Sequence, residues 1–140
     1  MQIIKQPKLD EVIKLLEDND LPCTDITKEN LEHFFGYYKN EVLEGIVGLE
    51  IYNNIALLRS LSVSQNKSTG IGSRLLEYVN NYSKKNNIDT LYLLTTTAHK
   101  YFLKKGFEVE DKNKAPKSIQ KTEEFTSICP SSSIFMKKSL

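Results

Sequence analysis

Cysteine and proline are scarce in this chain, at two and four of 140 residues, and neither sign of charge dominates: 19 Lys and Arg face 18 Asp and Glu. Cys23 and Cys129 lie far apart, with no metal-ligand spacing around them. Two lone thiols fit a reducing cytoplasm better than a disulfide framework, and no metal site is expected. The formal charge of +1, with lysines scattered among glutamates and asparagines, leaves no electrostatic footprint for nucleic acid. No apolar run approaches the roughly 20 residues of a membrane helix. The opening MQIIKQPKLDEV lacks the apolar centre of a signal peptide. No Gly-, Ser- or Pro-rich linker divides the chain and no internal repeat occurs. The expectation is one cytoplasmic domain, residues 1–140, long enough to bury a core.

Periodicity supplies the elements. A short strand at Ile3-Ile4 precedes a helix carrying Leu9, Val12, Ile13 and Leu16 at helical spacing and ending near Asn19. Asp25 or Thr27 is placed to cap a second short helix through Leu31. Strands follow at Phe34–Lys39, Val42–Tyr52 and Ile55–Val63, turned at Asn40-Glu41 and Asn53-Asn54. An amphipathic helix then presents Ile71, Leu75, Leu76, Val79 and Tyr82 on one face. Thr90–Thr95 is a nearly continuous apolar run, as in a buried parallel strand. A helix over about Thr97–Lys105 ends at Gly106, and strands near Phe107–Val109 and Ser133–Lys138 close the chain. Pro116 opens a turn of helix through Gln120.

Residues 56–76, ALLRSLSVSQNKSTGIGSRLL, carry the functional signal. A strand ending at Val63 runs into a loop with Gly70 and Gly72, and then a helix opens. That order sets free backbone N–H groups at a helix N-terminus, where an anion binds. Glycine lets a phosphate approach the backbone. Ser68, Thr69 and Ser73 add hydroxyls, and Lys67 and Arg74 add positive charge. A Walker loop is excluded because Ser73-Arg74 follows Gly72. A dinucleotide fingerprint is excluded because Leu75 stands where its third glycine belongs.

What remains resembles motif A of the GNAT superfamily of acetyl-CoA-dependent N-acetyltransferases: a strand ending in Val, then Gln/Arg-x-x-Gly-x-Gly/Ala, then a helix. Val63, Gly70 and Gly72 match, and Lys67 takes the Gln/Arg position. The second half is similar as well. The family pattern Asn-x-x-Ala-x-x-x-Tyr, followed by Gly-Phe, falls on Thr95, Ala98, Phe102 and Gly106-Phe107. Within the superfamily, LLRSLSV, LYLLTTTAHKYFLKKGF and SICPSSSIFMKK look like the small acetyltransferases of arsenic-resistance operons, and LLTTT…FxxxGF is similar to N-acetylglutamate synthases.

The resemblance implies an α/β fold of the layered α+β kind, with a mixed twisted sheet, helices on both faces and a splay between strands 4 and 5. It implies direct acetyl transfer from acetyl-CoA, with no metal, to the amine of a small acceptor, an amino acid or an analogue. The alternative is a non-catalytic acyl-CoA-binding or regulatory module. By the same resemblance the backbones of Leu61, Ser62 and Val63 hold the pantetheine arm, and the Leu61 N–H polarises the acetyl carbonyl. The N–H groups from Ser68 through Thr69, Gly70, Ile71 and Gly72 to Ser73 hold the pyrophosphate, flanked by Lys67 and Arg74. Thr95 and Phe102 line the cofactor and Thr96 the acceptor.

Five positions are weighed against what the resemblance implies. Glu50, near the end of the third strand, is the best placed carboxylate for a general base, against a solvated strand-end glutamate. Glu44, beside a turn, is expected in solvent. Arg59 interrupts an apolar strand and therefore needs a carboxylate, either a substrate's or an internal partner such as Glu50. Phe102 cannot donate a proton where the family often has tyrosine. Tyr101, about 100° round the helix, is the nearest candidate acid, or else a core or rim tyrosine. No nucleic-acid or membrane partner is expected. The last strand and the loop before it are where a homodimer would form.

Overall fold

The structure is a computed structural model that describes residues 2–20, 26–64, 70–122, 125–126 and 132–140. Its strands are β1 (Gln2–Lys5), β2 (Phe34–Lys39), β3 (Val42–Tyr52), β4 (Ile55–Val63), β5 (Thr90–Thr95), β6 (Glu108–Val109) and β7 (Ile134–Ser139). Its helices are α1 (Leu9–Asp18), α2 (Ile71–Lys85), α3 (His99–Lys104) and α4 (Lys117–Gln120), with 3-10 turns at Asn30–His33 and Lys112–Lys114. One sheet of seven strands runs β1-β2-β3-β4-β5-β7-β6. Every neighbouring pair is antiparallel except β4 and β5, which run parallel.

Strand alternation sorts the apolar residues onto two faces. Phe35, Val47, Leu49, Leu58, Leu91 and Leu93 pack with Leu75 and Val79 of α2 and Phe102 of α3. Phe34, Leu43 and Ile46, on the opposite face, pack with Val12, Leu15 and Leu16 of α1. On that same face, past β4, Leu57 and Phe135 pack with Ile119 of α4. Helices thus cover both faces, as expected. Among the described residues no helix is long and apolar enough to cross a membrane.

The β2–β3 turn carries positive φ at both Asn40 (51°) and Glu41 (66°), the requirement of a two-residue I′ hairpin. Gly106, at φ 94°, ends α3 in the left-handed conformation anticipated for it.

Two elements and the burial of one side chain differ from the sequence reading. The second short helix is a single 3-10 turn with no side-chain cap. Thr27 supplies a carbonyl to the Leu31 N–H instead, and Asp25 lies outside the described residues. Helix α3 starts at His99, because the Thr95 hydroxyl accepts the Ala98 N–H at 3.0 Å and holds Thr96–Thr97 in a bend. Glu44, expected in solvent, is only 6% exposed, since β3 already lies between β2 and β4 at that point.

Candidate active site

The parallel β4–β5 ladder holds only at Ile55, Ala56 and Leu57. Beyond it β5 continues against β7 as far as Thr95, and β4 continues against β3 as far as Val63. The two strands therefore part, and among the described residues no strand pairs with this edge of β4 after Leu57. Opposite Val47, β4 carries one extra residue: Ile46 faces Ser62 while Gly48 faces Arg59, which leaves Ser60 and Leu61 in the gap. This is a β-bulge, and Ser60 sits at φ 59°, a strained conformation for a residue with a side chain. The Ser64 N–H donates to Glu44 O at 2.7 Å. By the alternation of an antiparallel ladder, Val63 then turns its own N–H and C=O away from β3, towards the opening.

The expected roles of Lys67, Ser68 and Thr69 fall on residues 65–69, which lie outside the described residues. Gly70 precedes α2 at φ 93° and ψ −6°, and the helix start has no side-chain cap and no acidic residue in its first turn. A Cβ built on Gly70 would meet nothing within 4 Å. A helix start with no side-chain cap among the described residues and open space beside Gly70 suits a phosphate. Gly72 is different: a Cβ there would lie 3.0 Å from the Tyr101 hydroxyl. Glycine is thus favoured at residue 70 by conformation and at residue 72 by the close approach of the Tyr101 hydroxyl. Gly70→Ala should accordingly lose about 1 kcal/mol of stability from backbone strain alone, measured by urea denaturation. A wild-type midpoint would show that the left-handed geometry is not held.

On the α1 and α4 face, Arg59 is buried, with its side chain 1% exposed, and Glu50 is 24% exposed. Arg59 Nη1 donates to Glu50 Oε2 at 3.0 Å, and the Tyr52 hydroxyl donates to Glu50 Oε1 at 2.8 Å. Arg59 Nε donates to Ser60 Oγ at 3.1 Å, tying the guanidinium to the bulge. The Phe34 ring lies 5.9 Å from the guanidinium carbon. Burial, together with the bond to Glu50, raises the Tyr52 phenol well above its ordinary range. A carboxylate engaged at both oxygens stands beside a buried cation, and the cation lies two residues before Leu61 on β4.

A family model for the acetyltransferase (GNAT) domain matches residues 2–124. The chain belongs to the GNAT acetyltransferase family. Three solved structures share the fold. N-acetylglutamate synthase from Neisseria gonorrhoeae, complexed with coenzyme A and N-acetyl-glutamate, superposes at TM-score 0.82 and 19% identity, over 99% of this chain and 35% of that one. A GNAT-family acetyltransferase from Staphylococcus aureus gives 0.74 and 23%, over 99% and 98%. An N-acetyltransferase from Thermoplasma acidophilum, in complex with coenzyme A, gives 0.68 and 19%, over 100% of each. The chain thus spans about a third of the synthase. No curated protein sequence is a significant match.

In this GNAT domain the anticipated residues divide. Gly70, Gly72 and Ser73 gather at the start of α2, and the Ile71 side chain is buried at 2% exposure, which leaves only its backbone for a ligand. Arg74 is exposed and makes a long 3.5 Å contact with the Tyr37 hydroxyl on β2. Phe102 is 6% exposed, its ring packed edge-on against Tyr101 and Phe107. It is a core residue first. The Thr95 hydroxyl is committed to α3, and Thr96 is exposed in the bend. Arg59 forms the internal pair with Glu50, one of its two anticipated outcomes.

Two residues were missed. Asn19, at the end of α1, donates through Nδ2 to Ser62 Oγ at 2.7 Å and to Val63 O at 3.3 Å. A helix-ending asparagine carries no sequence sign of a partner more than forty residues away. Lys105, read only as the last residue of a helix, donates to Ser73 Oγ at 2.6 Å and lies 5.5 Å over the Tyr101 ring.

Proposed function

We propose that this domain, residues 1–140, is an acetyl-CoA-dependent N-acetyltransferase that moves acetyl directly to the amine of a small acceptor, an amino acid or an analogue. The observation that carries the reading is the parting of β4 from β5 beside a strained bulge, with an uncapped helix start at the same end of the strand. The open edge of β4 offers backbone groups to an extended amide-bearing arm, as a missing strand would. The uncapped start of α2 offers N–H groups to the pyrophosphate. Acetyl-CoA supplies the activated thioester, and the chain supplies position, a proton acceptor and a donor for the developing oxyanion.

Leu61 follows Ser60 in the bulge, and its N–H is assigned to the acetyl carbonyl; one such preorganised donor is worth about 3–4 kcal/mol of barrier. Val63, with its backbone turned to the opening and its carbonyl bonded by Asn19, continues the edge that holds the arm, whereas Ser62, opposite Ile46, turns its backbone to β3. Glu50 is assigned as the base that takes the ammonium proton through water, and Arg59 as the cation that receives an acceptor carboxylate. For that, the Arg59–Glu50 pair must share or exchange partners when the acceptor arrives. Tyr101, with its hydroxyl against Gly72, is assigned to the phosphate end of the cofactor rather than to proton donation. The leaving thiolate then departs without a protein acid. A thiol is a sufficiently good leaving group near neutral pH for this.

Thiol release from acetyl-CoA, measured against amino acids, amino-acid analogues and polyamines, tests the reading. Turnover is expected with a carboxylated amine. Tight coenzyme A binding with no turnover on any acceptor would favour the acyl-CoA-binding module.

A further inference from the structure

Beside the start of α2 lies a cavity of about 260 Å³ between α2 and the α3–β7 side of the domain. It is smaller than the roughly 300–1,000 Å³ of pockets that hold whole ligands, so it suits a chemical group. Lys105 and Lys138 both line it, over Leu76 and Phe107, with Ser73 at one end. Glu77, its one acidic lining residue, is exposed.

The two ammonium groups are held in place by neutral oxygens. Lys105 Nζ donates to Ser73 Oγ at 2.6 Å, and Lys138 Nζ donates to the Lys105 carbonyl at 2.9 Å. Among the described residues neither has a carboxylate partner. Packing fixes both further: Lys105 lies 5.5 Å over the Tyr101 ring and Lys138 lies 5.8 Å over the Phe107 ring. The Lys138 stem also fills the space where a Gly106 side chain would go, 3.2 Å from its would-be Cβ. Burial and the charge of Lys84 push the Lys138 ammonium down from its ordinary value. Two ammonium groups that line one cavity, each held by a neutral oxygen and neither paired with a carboxylate among the described residues, suit an anion.

Its position names the anion. Ser73 is in the first turn of α2, so the cavity starts one turn from the uncapped N–H groups assigned to the pyrophosphate. Coenzyme A carries three phosphates, two in the pyrophosphate and a third on the ribose 3′ oxygen a few bonds further on. We infer that Lys105 and Lys138 form a subsite for the ribose 3′-phosphate of coenzyme A, and so select it over cofactors that lack that group. The inference rests on the acetyl-CoA reading above and adds the residues that would recognise its third phosphate.

The test is calorimetric affinity for coenzyme A and for dephospho-coenzyme A, with wild type, Lys105→Met and Lys138→Met. Methionine keeps the apolar stem of each lysine and removes its charge. Hydrogen bonds to charged groups predict that wild type prefers coenzyme A by roughly tenfold or more. In both variants that preference should fall most of the way to unity, while affinity for dephospho-coenzyme A, which also reports an intact fold, stays at the wild-type value. Equal wild-type affinities for the two ligands, or a preference that survives in both variants, would overturn the subsite and leave the acetyl-CoA reading standing. Binding of neither ligand to wild type would remove the reading itself, and the subsite with it.

Discussion

Arg59→Ala is expected to cost about 3 kcal/mol of folding stability, because it strands Glu50 next to an apolar wall. Breaking a buried ion pair from one side typically costs roughly 3–5 kcal/mol, since the remaining charge keeps its desolvation without its counterion. The low end applies here, as Glu50 is 24% exposed and keeps the Tyr52 hydroxyl as a donor. Adding Glu50→Gln should recover part of the loss, because the uncompensated charge is then gone. A double-mutant cycle in urea should return a coupling above about 1 kcal/mol, the size usual for contacting charged residues. The kinetic effect separates from this. With Arg59 receiving the acceptor carboxylate, KM for a carboxylated amine should rise roughly tenfold or more in Arg59→Ala, from the loss of a charge-assisted bond. KM for acetyl-CoA should hold. A variant with wild-type stability would mean that the pair is not coupled, and an unchanged acceptor KM would remove Arg59 from the acceptor site.

Gly48→Ala should be the most damaging single methyl in the domain, at about 3 kcal/mol or more. A Cβ on Gly48 would sit 2.5 Å from two carbons of the Phe34 ring and 2.8 Å from a third. Phe34 has nowhere to go. It is fully buried in a cluster with Val12, Leu16 and Leu31, and its ring lies 5.9 Å from the Arg59 guanidinium carbon. Overpacking of a filled core typically costs about 1–3 kcal/mol and occasionally more. Here a rigid ring rather than a flexible chain end takes the collision. The loss should be partly repaired by Phe34→Leu in the same chain, although that substitution alone destabilises. Purely additive losses in the two variants would show that the glycine serves some other purpose. Because Gly48 faces Arg59 across the β3–β4 ladder, the repaired double variant should still show an altered KM for carboxylated acceptors.

Much of this was readable beforehand because the signals are local. Strand limits at Val42–Tyr52, Ile55–Val63 and Thr90–Thr95 agree with the structure, since each is a β-rich run closed by a turn or loop. Gly70 and Gly106 adopt positive φ where the sequence placed a phosphate loop and a helix end. The fold followed from two motifs in the right order on the right elements, and the family match bears it out. The site's inner wiring was less legible. Arg59 announced its need for a carboxylate, yet an internal partner and a substrate would satisfy that need equally. Only the register, with Gly48 opposite Arg59 and Glu50 opposite Leu57, brings the two side chains onto one face within reach. Phe102 stood at a motif position associated with the cofactor, yet contacts with Tyr101 and Phe107 turn its ring into the core.

The sequence by itself determined the order of elements, the glycine pair at the start of α2 and the family, because these depend on residue types at fixed short spacings. The tertiary structure decided the rest. It placed the extra residue of β4 at Ser60–Leu61, tied Asn19 to Ser62 and Val63, and set Lys105 and Lys138 around one cavity beside α2. Each of these joins groups many residues apart, and no local preference specifies such a pairing. They follow from how the layers close over the sheet, where burial fixes the register and the register fixes which side chains meet.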